Sequence, residues 1–446
     1  MRSKILLLIA ILIGLSLNSS VNAGTNAEAL ARKAVSENRA ESAAAIAELR
    51  GMGPGGLRAL FEIFADEIKR NGLNPSASNS PEWLRVSAAL DAVAQQRDAY
   101  TSGLYWYTDM DQARAASKAS GKPILSLRLL GKLSEGLSCA NSRFFRTVLY
   151  SNPEIASYLN EHFILHWKSV RPVPVVTIDY GDGRKVERTI TGNSIHYILD
   201  SEGRIVDALP GLYAPAAFIR QLKQAEAVAR QIAGQTAEKR ALILRSYLDA
   251  RLDANSKAWA RDVQRVGGKI TEIDAATAKP DNPPSARAAS RMAMAKAVTE
   301  SGLVNAISYD TSKLESITDE ETWNKIAALY LAEAKLDSNS LALIRRQNPY
   351  TGETAGTGKS TQPSADRLAR LVQNFERAIA LDTMRNEYLL HSKLYAWLLS
   401  NRAALETETF NERVYAELFL TPSSDPWLGL VQPNTYTGLD NDGIVK

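Results

Sequence analysis

One cysteine, Cys139, stands in a chain of 446 residues. A single thiol cannot close an internal disulfide, which excludes a disulfide scaffold and any dithiol–disulfide cycle within the chain. Histidine is nearly as scarce: His162, His166, His196 and His391 are the full set. None forms a ligand pair at helical spacing. His162 and His166 are four apart, but residues 163–170 read as strand, so no metal site and no cofactor is expected. Charge of one sign is also missing, since 53 Lys and Arg face 49 Asp and Glu for a net +4. That balance argues against a nucleic-acid partner. A bilayer core needs ~20 consecutive apolar residues. The apolar stretch at 5–17 is too short, and no later one is long enough, so stable membrane insertion is not expected.

What the N-terminus does have is the three-part pattern of a secretory signal. Arg2 and Lys4 precede the apolar stretch, and Val21-Asn22-Ala23 follows it with small residues at the cleavage positions. Residues 1–23 are therefore expected to be removed after Ala23. With no cysteine beside that point to carry a lipid, a periplasmic or secreted location is expected. A bacterial periplasm fits a chain without disulfides better than a eukaryotic secretory route. Apolar content of 45% and charged content of 23% are ordinary for a globular protein, and the length suggests two to four domains.

The chain divides by pattern. Residues 24–102 read as helical: Leu57, Leu60, Phe61, Phe64 and Ile68 make one apolar stripe, and Ser80-Pro81-Glu82 opens a further helix. The helix pairs look like units of a helical hairpin array without a clear repeat. Residues 103–225 change character. Core strands are expected at 123–130, 163–170, 194–200 and 204–210, with a hairpin over 175–189 turning at Tyr180-Gly181-Asp182-Gly183. Helical patterns at 110–120 and 140–162 lie between the first strands, a mixed α/β layout. Residues 226–420 return to helix, with apolar stripes at Leu368, Leu371, Val372, Phe375, Ile379 and at Trp323, Ile326, Ala327, Tyr330. Segments 274–285 and 349–364 read as loops. In the tail, 421–446, Pro422, Pro426, Trp427 and Pro433 suggest an extended segment laid over another surface, with Trp427 clipping it down.

Motif order adds a family to this layout. Trp106 and Asp109 are followed by Ala113 and Ala116, then Gly121-Lys122-Pro123-Ile124-Leu125. Next come Ser138-Cys139-Ala140-Asn141-Ser142, Asn152-Pro153-Glu154 and Leu159-Asn160-Glu161-His162-Phe163. Ser194-Ile195-His196-Tyr197-Ile198-Leu199-Asp200-Ser201-Glu202-Gly203 closes the series. In this order residues 104–225 resemble the thioredoxin-fold superfamily, as a secreted thioredoxin-like domain between two all-helical regions. The resemblance implies a mixed sheet with flanking helices, Cys139 at a helix start, and Ser194 where the family has its cis-proline. It also marks departures. The C-x-x-C motif reads Cys139-Ala140-Asn141-Ser142, a C-x-x-S form, and the loop between Pro123 and Cys139 is longer than usual.

A thiol at the first turn of a helix can be activated, because unpaired backbone N–H groups and the dipole favour an anion. Arg143 and Arg146 would add positive potential, and Ser142 could hydrogen-bond the sulfur. His196 lies two residues past Ser194 on the same strand face and could approach Cys139 as a nucleophile's base. Two functions stay open. The favoured one is a non-catalytic binding or scaffold protein with a protein partner. The alternative is a monothiol exchange or thiol-sensing factor acting through Cys139, with Ser142, Arg143, Ser194 and His196 around it. Helices with no bearing on a thiol make up over half the chain and favour the first.

Two other features carry no chemistry. Residues 352–361 resemble a phosphate loop, but Glu353 occupies the position of its first glycine and no apolar strand precedes it, so a plain loop is expected. Tyr105-Trp106-Tyr107 is expected to pack the domain rather than hold a ligand.

Overall fold

Capping chemistry sets the helix starts. Asn38, Ser80, Asp109 and Asn152 each accept backbone N–H bonds at the head of a helix, and Pro81 and Pro153 take the first helical positions. The computed structural model describes residues 26–74, 80–189, 193–268, 320–348, 364–400 and 406–425. The expected cleavage signal, the 274–285 and 349–363 segments with their phosphate-loop look-alike, and Trp427 with the rest of the tail lie outside the described residues.

Five helices open the described chain: α1 (26–33), α2 (Arg39–Gly51), α3 (Pro54–Ile63), α4 (Ala65–Asn71) and α5 (Pro81–Ala94). Their core is built on Leu30, Leu49, Leu57, Leu60, Trp83, Val86 and Leu90. Gly56 lets α2 and α3 meet, because a Cβ there would sit 2.0 Å from the Leu49 carbonyl oxygen. The stripe at 57–68 is not one helix face. The chain breaks at Phe64 between α3 and α4, so Leu57 and Leu60 are buried while Phe61, Phe64 and Ile68 pack half-buried at the cluster's margin.

The middle of the chain is mixed α/β. It runs α6 (Met110–Ser120), β1 (Ile124–Leu130), α7 (Ala140–Phe144) continuing as a π-helix (Phe145–Tyr150), α8 (Pro153–His162) and β2 (Ile164–Arg171). A separate hairpin follows, β3 (Val175–Asp179) and β4 (Lys185–Thr189), then β5 (Ser194–Leu199) and β6 (Ile205–Pro210). The main sheet has the order β2-β1-β5-β6, with β1 parallel to β2 and both β1/β5 and β5/β6 antiparallel.

Helices then cover the sheet: α9 (Pro215–Ile232), α10 (Ala237–Arg265), α11 (Glu320–Leu329), α12 (Ser338–Gln347), α13 (Ser364–Arg385) with a π-helix (Asn386–His391), α14 (Ser392–Ser400), and α15 (Thr407–Arg413) with a π-helix (Val414–Leu418). The α/β segment and these helices share one hydrophobic core that runs from Leu104 to Phe419. No break falls at 225, because α9 continues to Ile232 with Leu222, Val228 and Ile232 all in that core. A buried polar set stitches the same join. Asp207 on β6 accepts from His391 Nε2 at 3.0 Å and from Tyr247 at 2.5 Å, while Tyr213 meets His391 Nδ1 at 3.3 Å. Gly211 (φ +74°) makes the turn after β6 and leaves room for Asn386, whose Nδ2 donates to the Leu212 carbonyl at 2.7 Å.

On α13 the expected stripe is only partly interior. Phe375 and Ile379 are buried and Leu368 and Val372 half-buried, but Leu371 is 37% exposed. Trp323, Ile326 and Ala327 on α11 are buried as their spacing predicts. Among the described residues no helix is long and apolar enough to cross a membrane.

Candidate functional site

Cys139 follows the loop after β1 and sits at the N-cap of α7, its own N–H donating to the Leu130 carbonyl at 3.2 Å and its carbonyl accepting from Arg143 N–H at 3.2 Å. Its side chain is fully buried and belongs to the main core. Register brings Ser194, the first residue of β5, opposite Leu129 at the end of β1. Ser194 Oγ thereby comes to 3.1 Å from Cys139 Sγ. Thiol and hydroxyl satisfy each other, which a buried polar pair requires.

The other expected members are placed differently. Ser142 Oγ lies 2.6 Å from Ser138 Oγ and 2.9 Å from the Cys139 carbonyl oxygen, so it holds the loop and helix start rather than the sulfur. A serine three residues into a helix reaches back to the preceding turn's carbonyl, and this one does so. Arg143 donates to Thr189 Oγ1 at 2.9 Å and ties the helix to the end of β4. Arg146 is buried, donating to the carbonyls of Leu133 and Glu135 at 3.0 and 2.9 Å. It pins the loop before Cys139, and desolvation brings its guanidinium down to about 10.

His196 shares a strand face with Ser194, but no hydrogen bond joins it to Cys139 among the described residues. Its Nε2 lies 2.7 Å from the Tyr150 hydroxyl, and its Nδ1 is buried without a partner. Phe145 and Phe218 pack on the ring. Complete burial pushes the imidazole down to about 3, so it is neutral across the physiological range. His162 and His166 are separated as expected, one ending α8 and one inside β2. Among the described residues no group of three or more His, Cys, Asp or Glu is placed to hold a metal ion. Tyr105 and Trp106 are buried and Tyr107 half-buried, with Trp106 Nε1 donating to Gln96 at 2.8 Å.

Two residues that the motif order did not single out complete the surroundings. Tyr150, at the end of the π-helix, and Tyr415, from the far end of the chain, are both fully buried. Burial pushes both phenols well above their ordinary range. The Tyr415 hydroxyl donates to the Asn193 carbonyl at 3.1 Å, beside Ser194. The start of the tail is fastened at the same place, with Asn193 Nδ2 donating to Thr421 Oγ1 at 2.9 Å and Arg171 donating to the Thr421 and Pro422 carbonyls. The aromatic run Phe410, Tyr415, Phe419 was a signal for a buried helix, but nothing in its spacing named the sheet as its partner. No protein-family model, curated protein or solved structure matches this chain.

Proposed function

We propose that this is an exported, thioredoxin-like binding protein in which the thiol position has become structural. The fold reading is supported by the order β2-β1-β5-β6, by the helical crossover between the parallel strands, and by the antiparallel hairpin that follows. It is supported again by Cys139 at a helix start facing Ser194 at a strand start. Export rests on Arg2, Lys4, the apolar 5–17 stretch and Val21-Asn22-Ala23. N-terminal sequencing of the protein from its native host is expected to begin at Gly24, and a chain still carrying Met1 would remove that part of the reading.

The observation that carries the non-catalytic reading is that the sulfur is sealed. It is fully buried and hydrogen-bonded to Ser194. A thiolate must reach its target sulfur in line to exchange with it. The native protein is therefore expected to react with a thiol-specific aromatic disulfide at a rate set by opening of the structure, rising steeply in urea. Prompt stoichiometric reaction of folded protein would instead establish the alternative, a monothiol exchange factor working through Cys139. Replacing Cys139 by Ser is expected to leave partner binding unchanged.

A further inference from the structure

One open surface with an unusual chemistry is a cleft of about 400 Å³ between α3 and the outer edge of β2. Its walls are apolar, chiefly Leu57, Phe61, Phe163 and Leu165. Two cations, Arg58 and Lys122, line it, and no carboxylate does. Arg58 is exposed and has no ion pair among the described residues, while Lys122 Nζ is held by a bond to the Asn160 carbonyl at 2.9 Å. Size and lining fall within the range of ligand sites, which join an apolar body to a few placed polar groups.

The backbone beside the cleft narrows the choice. β2 is an edge strand, and among the described residues only Tyr107 pairs with its outer side, taking one bond from Trp167 N–H and giving one to the Leu165 carbonyl. Upstream of Tyr107 the chain turns away, and the Trp106 N–H donates to Ala94 instead. Ile164 N–H donates inward to Pro123. By strand alternation the N–H of Leu165 faces outward into the cleft. The Phe163 N–H is spent on the Leu159 carbonyl, so the Leu165 N–H is the donor this edge offers to an added extended segment.

We infer that the cleft binds the C-terminus of an extended peptide. Its backbone pairs with the open edge of β2, its last apolar side chain enters the Leu57–Phe61–Phe163 wall, and its terminal carboxylate meets Arg58 and Lys122. The inference deepens the binding reading above and rests on it only in naming where a protein partner docks.

The test uses the full-length mature protein and fluorescein-labelled hexapeptides ending in Leu or Phe, made as free acids and as C-terminal amides, read by fluorescence polarisation. The free acids are expected to bind, and the amides at least about tenfold more weakly, because a charged hydrogen-bond pair is lost. A double variant, Arg58→Glu with Lys122→Gln, is expected to abolish the preference for the acid at an unchanged melting temperature. Equal binding of acid and amide, no binding at all, or a double variant that keeps the preference would overturn the inference. Octanoate displacing the peptides at matching affinity would also overturn it, since the strand edge would then contribute nothing. Thiol labelling on the same samples reports separately on Cys139. Prompt labelling would sink the non-catalytic reading while leaving the peptide result to stand or fall alone.

Discussion

His196 is a buried imidazole whose proton uptake is opposed by every side of its surroundings. Tyr150 offers a neutral hydroxyl, Phe145 and Phe218 offer rings, and among the described residues no carboxylate pairs with the ring. Its folded value of about 3 lies below the ordinary 6.5, and that of His166, lowered by burial and then by Arg128, is also about 3. The unfolded chain therefore takes up a proton at each site as pH falls through 6.5, and the folded chain does not until about 3. Each histidine's stabilising contribution is complete above the unfolded value and is lost as pH falls, at ~1.4 kcal/mol per pH unit. Asp91, raised to about 7 by burial, works in the opposite sense, so the parent's slope is a sum. The difference between parent and His196→Gln isolates one site. Urea denaturation between pH 6 and pH 4 is expected to show a slope smaller by ~1.4 kcal/mol per unit in the variant, and an identical slope would mean that His196 is hydrated.

At the scale of elements, α13 separates what periodicity can and cannot decide. Leu371 and Ile379 share the same sequence stripe, yet one is 37% exposed and the other 1%. Leu371→Asp is expected to move stability by no more than about 0.5 kcal/mol. Ile379→Asp places an unpaired charge in the core and is expected to cost several kcal/mol or abolish folding. Equal melting temperatures for the two variants would refute this packing. The contrast shows where sequence reading stops. The strands, the helix starts and the hairpin at 175–189 were legible, because alternation, caps and Gly-rich turns are local. Local signals could not say that Ser126 and Arg128 on β1 would be buried, since Ser-Leu-Arg-Leu reads as a strand with one wet face. Arg128 is interior because α15 brings Glu408 to 2.7 Å from its guanidinium. The hydrogen-bond partners of Ser142 and Arg143 were not legible for a related reason. Spacing put both near the sulfur, but it could not show that Ser142 would donate to the Cys139 carbonyl and Arg143 to Thr189, because those partners come from the turn's backbone and from a strand far along the chain.

For the molecule as a whole, the separation of its parts in sequence is undone by one contact region at the start of β5, the strand whose Ser194 meets Cys139. Tyr415 lies 222 residues from Asn193, to which it donates, and Thr421 lies 228 residues from its Asn193 partner. Such pairings bring the end of the chain onto the strand that carries Ser194, and a separate α/β unit would lack them. If this cover controls access to the thiol, disturbing it should expose Cys139 without unfolding the rest. Tyr415→Ala removes a buried ring, a change that costs ~3–5 kcal/mol in a packed core, and Trp323→Ala removes one of similar standing from the remote cluster around Val263 and Met384. Labelling through global unfolding would accelerate equally in both, matched for stability. Labelling through local opening would accelerate in Tyr415→Ala alone, by at least about tenfold for each 1.4 kcal/mol of local stability lost. Tyr415→Phe, which gives up the bond to Asn193 but keeps the ring, is expected to fall between parent and alanine. The local pattern is the expected one, and equal rates at matched stability would show that the sheet and the C-terminal helices open together.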